Sequence, residues 1–195
     1  MKKLVFATNN EHKLRELRQI LTGEFELLSL NDIGCDEEIP ETGATLESNA
    51  AQKSFYIWDK FGIDCFADDT GLEINALNNE PGVFSARYAG EEKSSEANMQ
   101  KVLDKLKDEA DRRARFRCVF SLIIDGREQQ FEGIVEGKIL YEKQGEGGFG
   151  YDPIFQPEGY QHSFATLTPK EKNKISHRGR AVVKLVDYLK NNHPE

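Results

Sequence analysis

The chain has 195 residues, 38% hydrophobic and 31% charged, with a formal net charge of -8. This suits one globular domain (1–195) with two lobes and an ample core. The acidic balance excludes broad non-specific nucleic-acid binding, which needs a wide basic surface. A small polyanion can still bind where a few lysines and arginines converge. The three cysteines, Cys35, Cys65 and Cys118, form no Cys-x-x-Cys pair. That argues against a disulfide framework or structural zinc and fits a reducing cytoplasm. The apolar start, Leu4-Val5-Phe6, is short and soon meets Asn9-Asn10-Glu11, so neither a signal peptide nor a membrane span is expected.

Residues 4–7 read as a first strand. Thr8, Asn9 and Asn10 supply turn and cap chemistry. Leu14, Leu17, Ile20 and Leu21 then recur at helical spacing, predicting a helix over residues 11–21 closed by Gly23. Residues 25–30 form a second strand in this reading, which makes the opening unit α/β. A polar loop, 34–45, precedes a second helix with Leu46, Ala50, Ile57 and Phe61 on one face.

The apolar run 63–67 then stops at Asp68-Asp69-Thr70-Gly71. Locally the tetrad reads as a turn. The alternative is a buried strand delivering two acids to a site, where paired carboxylates can hold Mg²⁺ or deprotonate water. A loop over 75–90 follows. Ser94 or Ser95 caps a third helix striped by Met99, Val102, Leu103, Leu106 and Ala110. The clearest strand is 114–124, with Asp125-Gly126 as a hairpin turn and 131–139 as the return. After the glycine-rich loop 145–150, Thr168-Pro169-Lys170-Glu171 is a capping box with proline at the first helical position. The last helix turns Val182, Leu185, Val186 and Leu189 inward. A hairpin within an α/β chain predicts a mixed sheet.

Four further constellations carry chemistry. The segment from Thr8 through Asn9, Asn10, Glu11, His12 and Lys13 joins strand to helix, where amide N–H groups and a lysine can hold phosphate; the Walker pattern is absent. Glu41 and Asn49 form another, with Lys53 one helical turn beyond Asn49; Asn49 and Lys53 share a helix face, which matters only if it meets Asp68 and Asp69. In Gly145-Glu146-Gly147-Gly148-Phe149-Gly150-Tyr151-Asp152-Pro153 glycine lets backbone approach a ligand and the aromatics Phe149 and Tyr151 offer faces for stacking a base. Ser176-His177-Arg178 puts cations at a helix start that prefers acids, pointing to an acceptor-rich or anionic ligand.

Taken in order, the chain resembles the inosine triphosphate pyrophosphatase family, the XTP/dITP diphosphatases. The landmarks are the Thr8–Lys13 loop, Glu41-Thr42-Gly43, Asn49-Ala50 with Lys53, Ala67-Asp68-Asp69-Thr70-Gly71-Leu72, Pro81-Gly82-Val83-Phe84-Ser85-Ala86-Arg87-Tyr88, Ala114-Arg115-Phe116, the Gly148 to Pro153 segment and Ser176-His177-Arg178. The resemblance implies a long mixed β-sheet flanked by helices, two lobes with a central cleft, and usually a homodimer. It implies Mg²⁺-dependent hydrolysis of 6-oxo purine nucleoside triphosphates (dITP, ITP, XTP) to the monophosphate and pyrophosphate. Asp69 is then general base and metal ligand. Residues Thr8, Asn9, Asn10, Glu11, His12 and Lys13 hold phosphate, with Lys53 as an added cation. Thr70, Phe149, Gly150, Tyr151, Asp152, Lys172, His177 and Arg178 line the nucleotide site. Pro40 stands where members often carry the first of two glutamates, so Glu41 becomes the metal-ligand candidate, with Asp68 or water as substitute. Asn9 replaces a glycine common in the phosphate loop. A haloacid-type phosphatase would want Asp-x-Asp rather than adjacent acids, and a non-catalytic nucleotide-binding module would have no need of Asp69.

Overall fold

The computed structural model describes residues 2–20 and 25–192. In chain order the main elements are β1 (Lys2–Phe6), α1 (Glu11–Ile20), β2 (Phe25–Leu28), α2 (Leu46–Phe61), β3 (Cys65–Ile74), β4 (Pro81–Gly82), α3 (Ser95–Lys105), β5 (Arg113–Ile124), β6 (Arg127–Ile139), β7 (Phe155–Pro157), α4 (Pro169–Ile175) and α5 (His177–Asn192). Among the described residues the strands form one mixed sheet in the order β2-β1-β3-β5-β6-β7, with β4 on β3. Strand β1 is parallel to β2 and β3, whereas β4 runs antiparallel to β3 and β7 to β6. The α/β mixed-sheet expectation holds.

Several local expectations change. Asp68-Asp69-Thr70-Gly71 is no turn: β3 continues through it to Ile74. The second strand stops at Leu28 because Ser29 and Asp32 bond to each other's backbone amides at 2.8 and 3.2 Å, a local alternative to the ladder. Helix α3 ends at Lys105, and Ala110 lies beyond it, exposed. Strand β6 starts at Arg127, directly after the Asp125-Gly126 turn, where both residues have positive φ (50° and 74°), as a tight hairpin turn requires. The predicted contribution of Leu21 and the closing Gly23 lie outside the described residues.

The chain divides into two compact units. The first comprises Met1–Asp69, Cys118–Gly133 and Arg178–Glu195; the second comprises Thr70–Arg117 and Ile134–His177. In the first unit, strand alternation builds a core on each sheet face. Leu4, Phe6, Phe66, Cys118, Phe120 and Leu122 meet Leu14 and Leu17 of α1 and Ala181, Val182, Leu185 and Leu189 of α5. The intervening residues Val5, Ala7, Cys65, Ala67 and Ile123 meet Ile57 of α2 on the other face. Parallel pairing of Val5 with Cys65 and Phe6 with Phe66 keeps like residues on one side, and the two phenyl rings stack at 4.6 Å. Burial on both faces explains why the alternation in β5 gives way to continuous burial over residues 118–123.

In the second unit, Leu72, Ile74, Ala114, Phe116, Val135 and Ile139 pack with Met99, Val102 and Leu106, and with Ile154, Phe155 and Phe164. Ser94 caps α3, accepting from the Ala97 amide. Thr168 and Glu171 close the predicted capping box on α4.

Candidate active site

Asp68 and Asp69 are adjacent in a strand, so their side chains leave opposite faces of the sheet. Asp68 follows Phe66 onto the α1/α5 face, and Asp69 follows Ala67 onto the α2 face. Their partners confirm this. Lys13, in the first turn of α1, donates to both Asp68 oxygens at 3.0 and 2.9 Å. Arg178, in the first turn of α5, brings Nε to 3.6 Å of Asp68 Oδ2, and Cys118 Sγ lies 3.8 Å from the same oxygen. Asp69 instead accepts from Asn49 Nδ2 of α2 at 3.0 Å.

Both acids are buried, at 1% and 8% exposure, yet their acidities diverge. Burial pushes each carboxyl up, because a charge loses its water. For Asp68 that push is overcome by Lys13, Arg178 and Lys53, and its carboxyl lies well below the usual carboxylate range. For Asp69 burial prevails over Lys53 and Lys13, with Glu41 adding repulsion, and its carboxyl lies above that range. Asp68 is held as a carboxylate by its cation partners; Asp69 is the more basic of the two.

The loop ahead of α2 brings further groups to Asp69. Gly43 N–H donates to Asn49 Oδ1 at 2.7 Å, which fixes the amide so that Nδ2 faces Asp69. A Cβ on Gly43 would lie 2.1 Å from Ser48 Oγ and 2.8 Å from Asn49 Oδ1, so the close approach needs glycine. The Thr42 amide donates to Gln52 Oε1 at 3.0 Å, and Thr45 forms a capping box with Ser48. So strapped, the loop carries Glu41 to Lys53, and the two form an ion pair. Lys53 is 7% exposed; burial lowers its pKa, but Asp69, Glu41 and Asp68 outweigh that and raise it, keeping it charged. The Asn49–Lys53 face therefore does meet the acids.

In the Thr8–Lys13 loop, Asn10 caps α1: its Oδ1 accepts from the His12 and Lys13 amides at 3.0 and 3.2 Å. Thr8 Oγ1 accepts from Asn10 N at 3.1 Å. Asn9, Glu11 and His12 are exposed. The cation–helix mismatch at Arg178 has an internal answer. Arg178 is 2% exposed and pairs with Glu16 as well as Asp68, so its charge is met by carboxylates of the protein. The start of α5 is therefore buried rather than an exposed basic surface. Glu16 escaped the sequence reading, although its position three residues after Lys13 on α1 places both on one face.

In the second unit, Asp152 organises the glycine-rich loop. Its Oδ2 accepts from the Phe149 amide and from Lys172 Nζ, each at 2.8 Å. Lys172 Nζ also sits over the Phe149 ring, 4.5 Å from its centroid. A Cβ on Gly148 would lie 2.1 Å from Asp152 Oδ2, and its φ of +72° suits glycine. Tyr151 corrects one expectation: it is 5% exposed, packed in the core, with its hydroxyl donating to Ser85 O at 2.7 Å, so its ring offers no face for a base. His177 is 4% exposed and stacks on Phe116 at 4.7 Å. Thr70 is half-buried, and Gly150 has a φ of +62°.

A buried, basic carboxylate beside a lysine and an amide, with a second carboxylate within reach, is the equipment of a hydrolase that handles a polyanion. The chain belongs to the Ham1 family, whose model matches residues 4–188. It is 53% identical over 188 residues to a dITP/XTP pyrophosphatase of Flavobacterium psychrophilum, covering 96% of this chain and 99% of that one. It is 54% identical over 187 residues to a protein of the same name from Christiangramia forsetii, covering 96% and 98%. A solved HAM1 protein structure from Coxiella burnetii matches with a TM-score of 0.91 at 40% identity, covering 98% of this chain and 100% of that one. The family resemblance noted in the sequence is thereby established.

Proposed function

We propose that this protein hydrolyses non-standard purine nucleoside triphosphates (dITP, ITP and XTP) to the monophosphate and pyrophosphate, clearing them from the nucleotide pool. The supporting comparison is the name shared by its relatives, dITP/XTP pyrophosphatase. The observation that carries the chemistry is the placement of Asp68 and Asp69: Asp68 is buried in ion pairs with Lys13 and Arg178, whereas Asp69 is buried against the Asn49 amide.

Asp69 takes the proton of the attacking water. Asn49 holds the carboxylate, and burial keeps it basic enough to act as general base. Lys53 and Lys13 supply charge for the triphosphate, and Asp68 keeps Lys13 in place. The residues fit a magnesium ion. Asp69 and the half-exposed Glu41 are hard oxygen donors, and Mg²⁺ usually takes one or two carboxylates and completes its shell with water and substrate phosphates. No group of three His, Cys, Asp or Glu side chains converges as a ready-made cage among the described residues. Bound there, Mg²⁺ would neutralise phosphate charge and acidify water. Asp68 is a poorer ligand candidate, because Lys13 already takes both its oxygens.

Recognition of the 6-oxo base is assigned by resemblance to His177 and Arg178. An oxo group accepts where adenine's amino group donates, so a donor left unpaired disfavours ATP. A homodimer and a cytoplasmic setting complete the reading. Exposed Phe84 (55%) is a candidate dimer contact, and the three cysteines are buried and joined in no disulfide. No helix among the described residues is long and apolar enough to cross a membrane.

The test is a panel of dITP, ITP, XTP, GTP and ATP with Mg²⁺, following pyrophosphate release, run beside Asp69→Asn and an EDTA control. Turnover of the 6-oxo substrates to monophosphate and pyrophosphate is expected, falling about 10²- to 10⁴-fold in the variant and ceasing in EDTA. Release of free phosphate alone would indicate a phosphatase; absence of turnover would indicate a binding module.

A further inference from the structure

The cations the proposed reaction needs are already engaged by carboxylates. Lys13 is paired with Asp68, Arg178 with Glu16 and Asp68, and Lys53 with Glu41. A triphosphate arriving without a metal must therefore take a cation from a carboxylate.

These pairs differ in how easily they open. Asp68 is 1% exposed and is held from both α1 and α5. Glu41 has a side chain 35% exposed, and its one hydrogen-bond partner among the described residues is Lys53. Its neighbours Thr42 and Gly43 are tied to α2 by their amides, so the backbone stays while the carboxylate is free to rotate. Lys53 is 7% exposed and poorly placed to regain water; Asp69 and Asp68 still favour its charge when Glu41 turns away, but its direct hydrogen-bond partner is then gone. If Glu41 leaves, a phosphate oxygen is the natural replacement.

We propose that Glu41 is an exchangeable counter-ion: without a divalent cation it holds Lys53, and on turning to a cation it releases Lys53 to the polyphosphate. This rests on the function proposed above. The exchange makes cation and nucleotide binding mutually supportive, and it disfavours complexes with metal-free nucleotide that could not react.

The test is calorimetric titration of inorganic tripolyphosphate, in EDTA, into wild type, Glu41→Gln, Lys53→Met and the double variant, with folding checked by thermal unfolding. Lys53→Gln serves as a second background. Glu41→Gln should bind about five-fold tighter than wild type, the scale of one partly exposed ion pair. Lys53→Met should bind more weakly. In the Lys53 backgrounds the Glu41→Gln gain should shrink below about two-fold, because the pair it relieves is gone. An undiminished gain there would mean that Glu41 acts by simple repulsion, and would overturn the exchange. So would binding by Glu41→Gln no tighter than wild type. Failure of both wild type and Glu41→Gln to bind tripolyphosphate would overturn the phosphate-site reading along with it, whereas binding by both without the predicted gain overturns the exchange alone.

Discussion

Neutralising Asp68 and Asp69 one at a time should move stability in opposite directions. Asp68→Asn keeps the shape but leaves Lys13 and Arg178 without the carboxylate at 2.9–3.6 Å. Breaking a buried pair from one side costs about 3–5 kcal/mol. Lys13 is 14% exposed and Arg178 retains Glu16, so the lower end, about 3 kcal/mol, is expected. For a chain of this size that is a fall in melting temperature of about 6–12 °C. Asp69→Asn removes a charge that burial opposes, while its amide oxygen still accepts from Asn49, so the melting temperature should rise by a few degrees.

The pH dependence follows from the signs. Asp68 is depressed in the fold, so its contribution is complete above its ordinary value of 3.8 and is lost as pH falls toward its folded value. Asp69 is raised, so its ionised form opposes folding above its folded value, and the penalty disappears as acid protonates it. Both variants should therefore converge on wild type in acid. The assay is scanning calorimetry near neutral pH and then stepped downward from about pH 4, where the Asp69→Asn difference closes first and the Asp68→Asn difference closes only toward the depressed folded value. A loss for Asp69→Asn as large as that for Asp68→Asn would refute the opposite-face assignment.

Other outcomes follow from the same geometry. Lys53 lowers the Asp69 carboxyl, so Lys53→Gln should shift the acid limb of the pH–rate profile to higher pH; an unmoved limb would separate Lys53 from the base. Arg178→Ala should reduce the preference for ITP over ATP, read from kcat/KM for each. Equal losses for both nucleotides would confine Arg178 to its ion pairs with Glu16 and Asp68.

Much of the fold was readable because its signals are local. The period-2 pattern of β5, the Asp125-Gly126 turn and the Thr168 capping box each act within a few residues. The tetrad at Asp68 misled for the same reason: Asp, Thr and Gly are good turn residues, and what keeps them in a strand is the sheet on either side. Tyr151 likewise reads as a stacking aromatic until its burial against Ser85 is seen.

The sequence by itself determined the α/β class, the family and the residues able to do chemistry, since these lie in residue type, spacing and order. Tertiary structure decided what surrounds each of those residues. Asp68 and Asp69 are chemically identical and adjacent, and no local signal ranks their acidity. The difference arises because adjacent strand residues face opposite ways, one toward Lys13 and Arg178 brought from distant helices, the other toward Asn49. A pKa is set by the charges and water within a few ångströms, and only the fold brings those groups together.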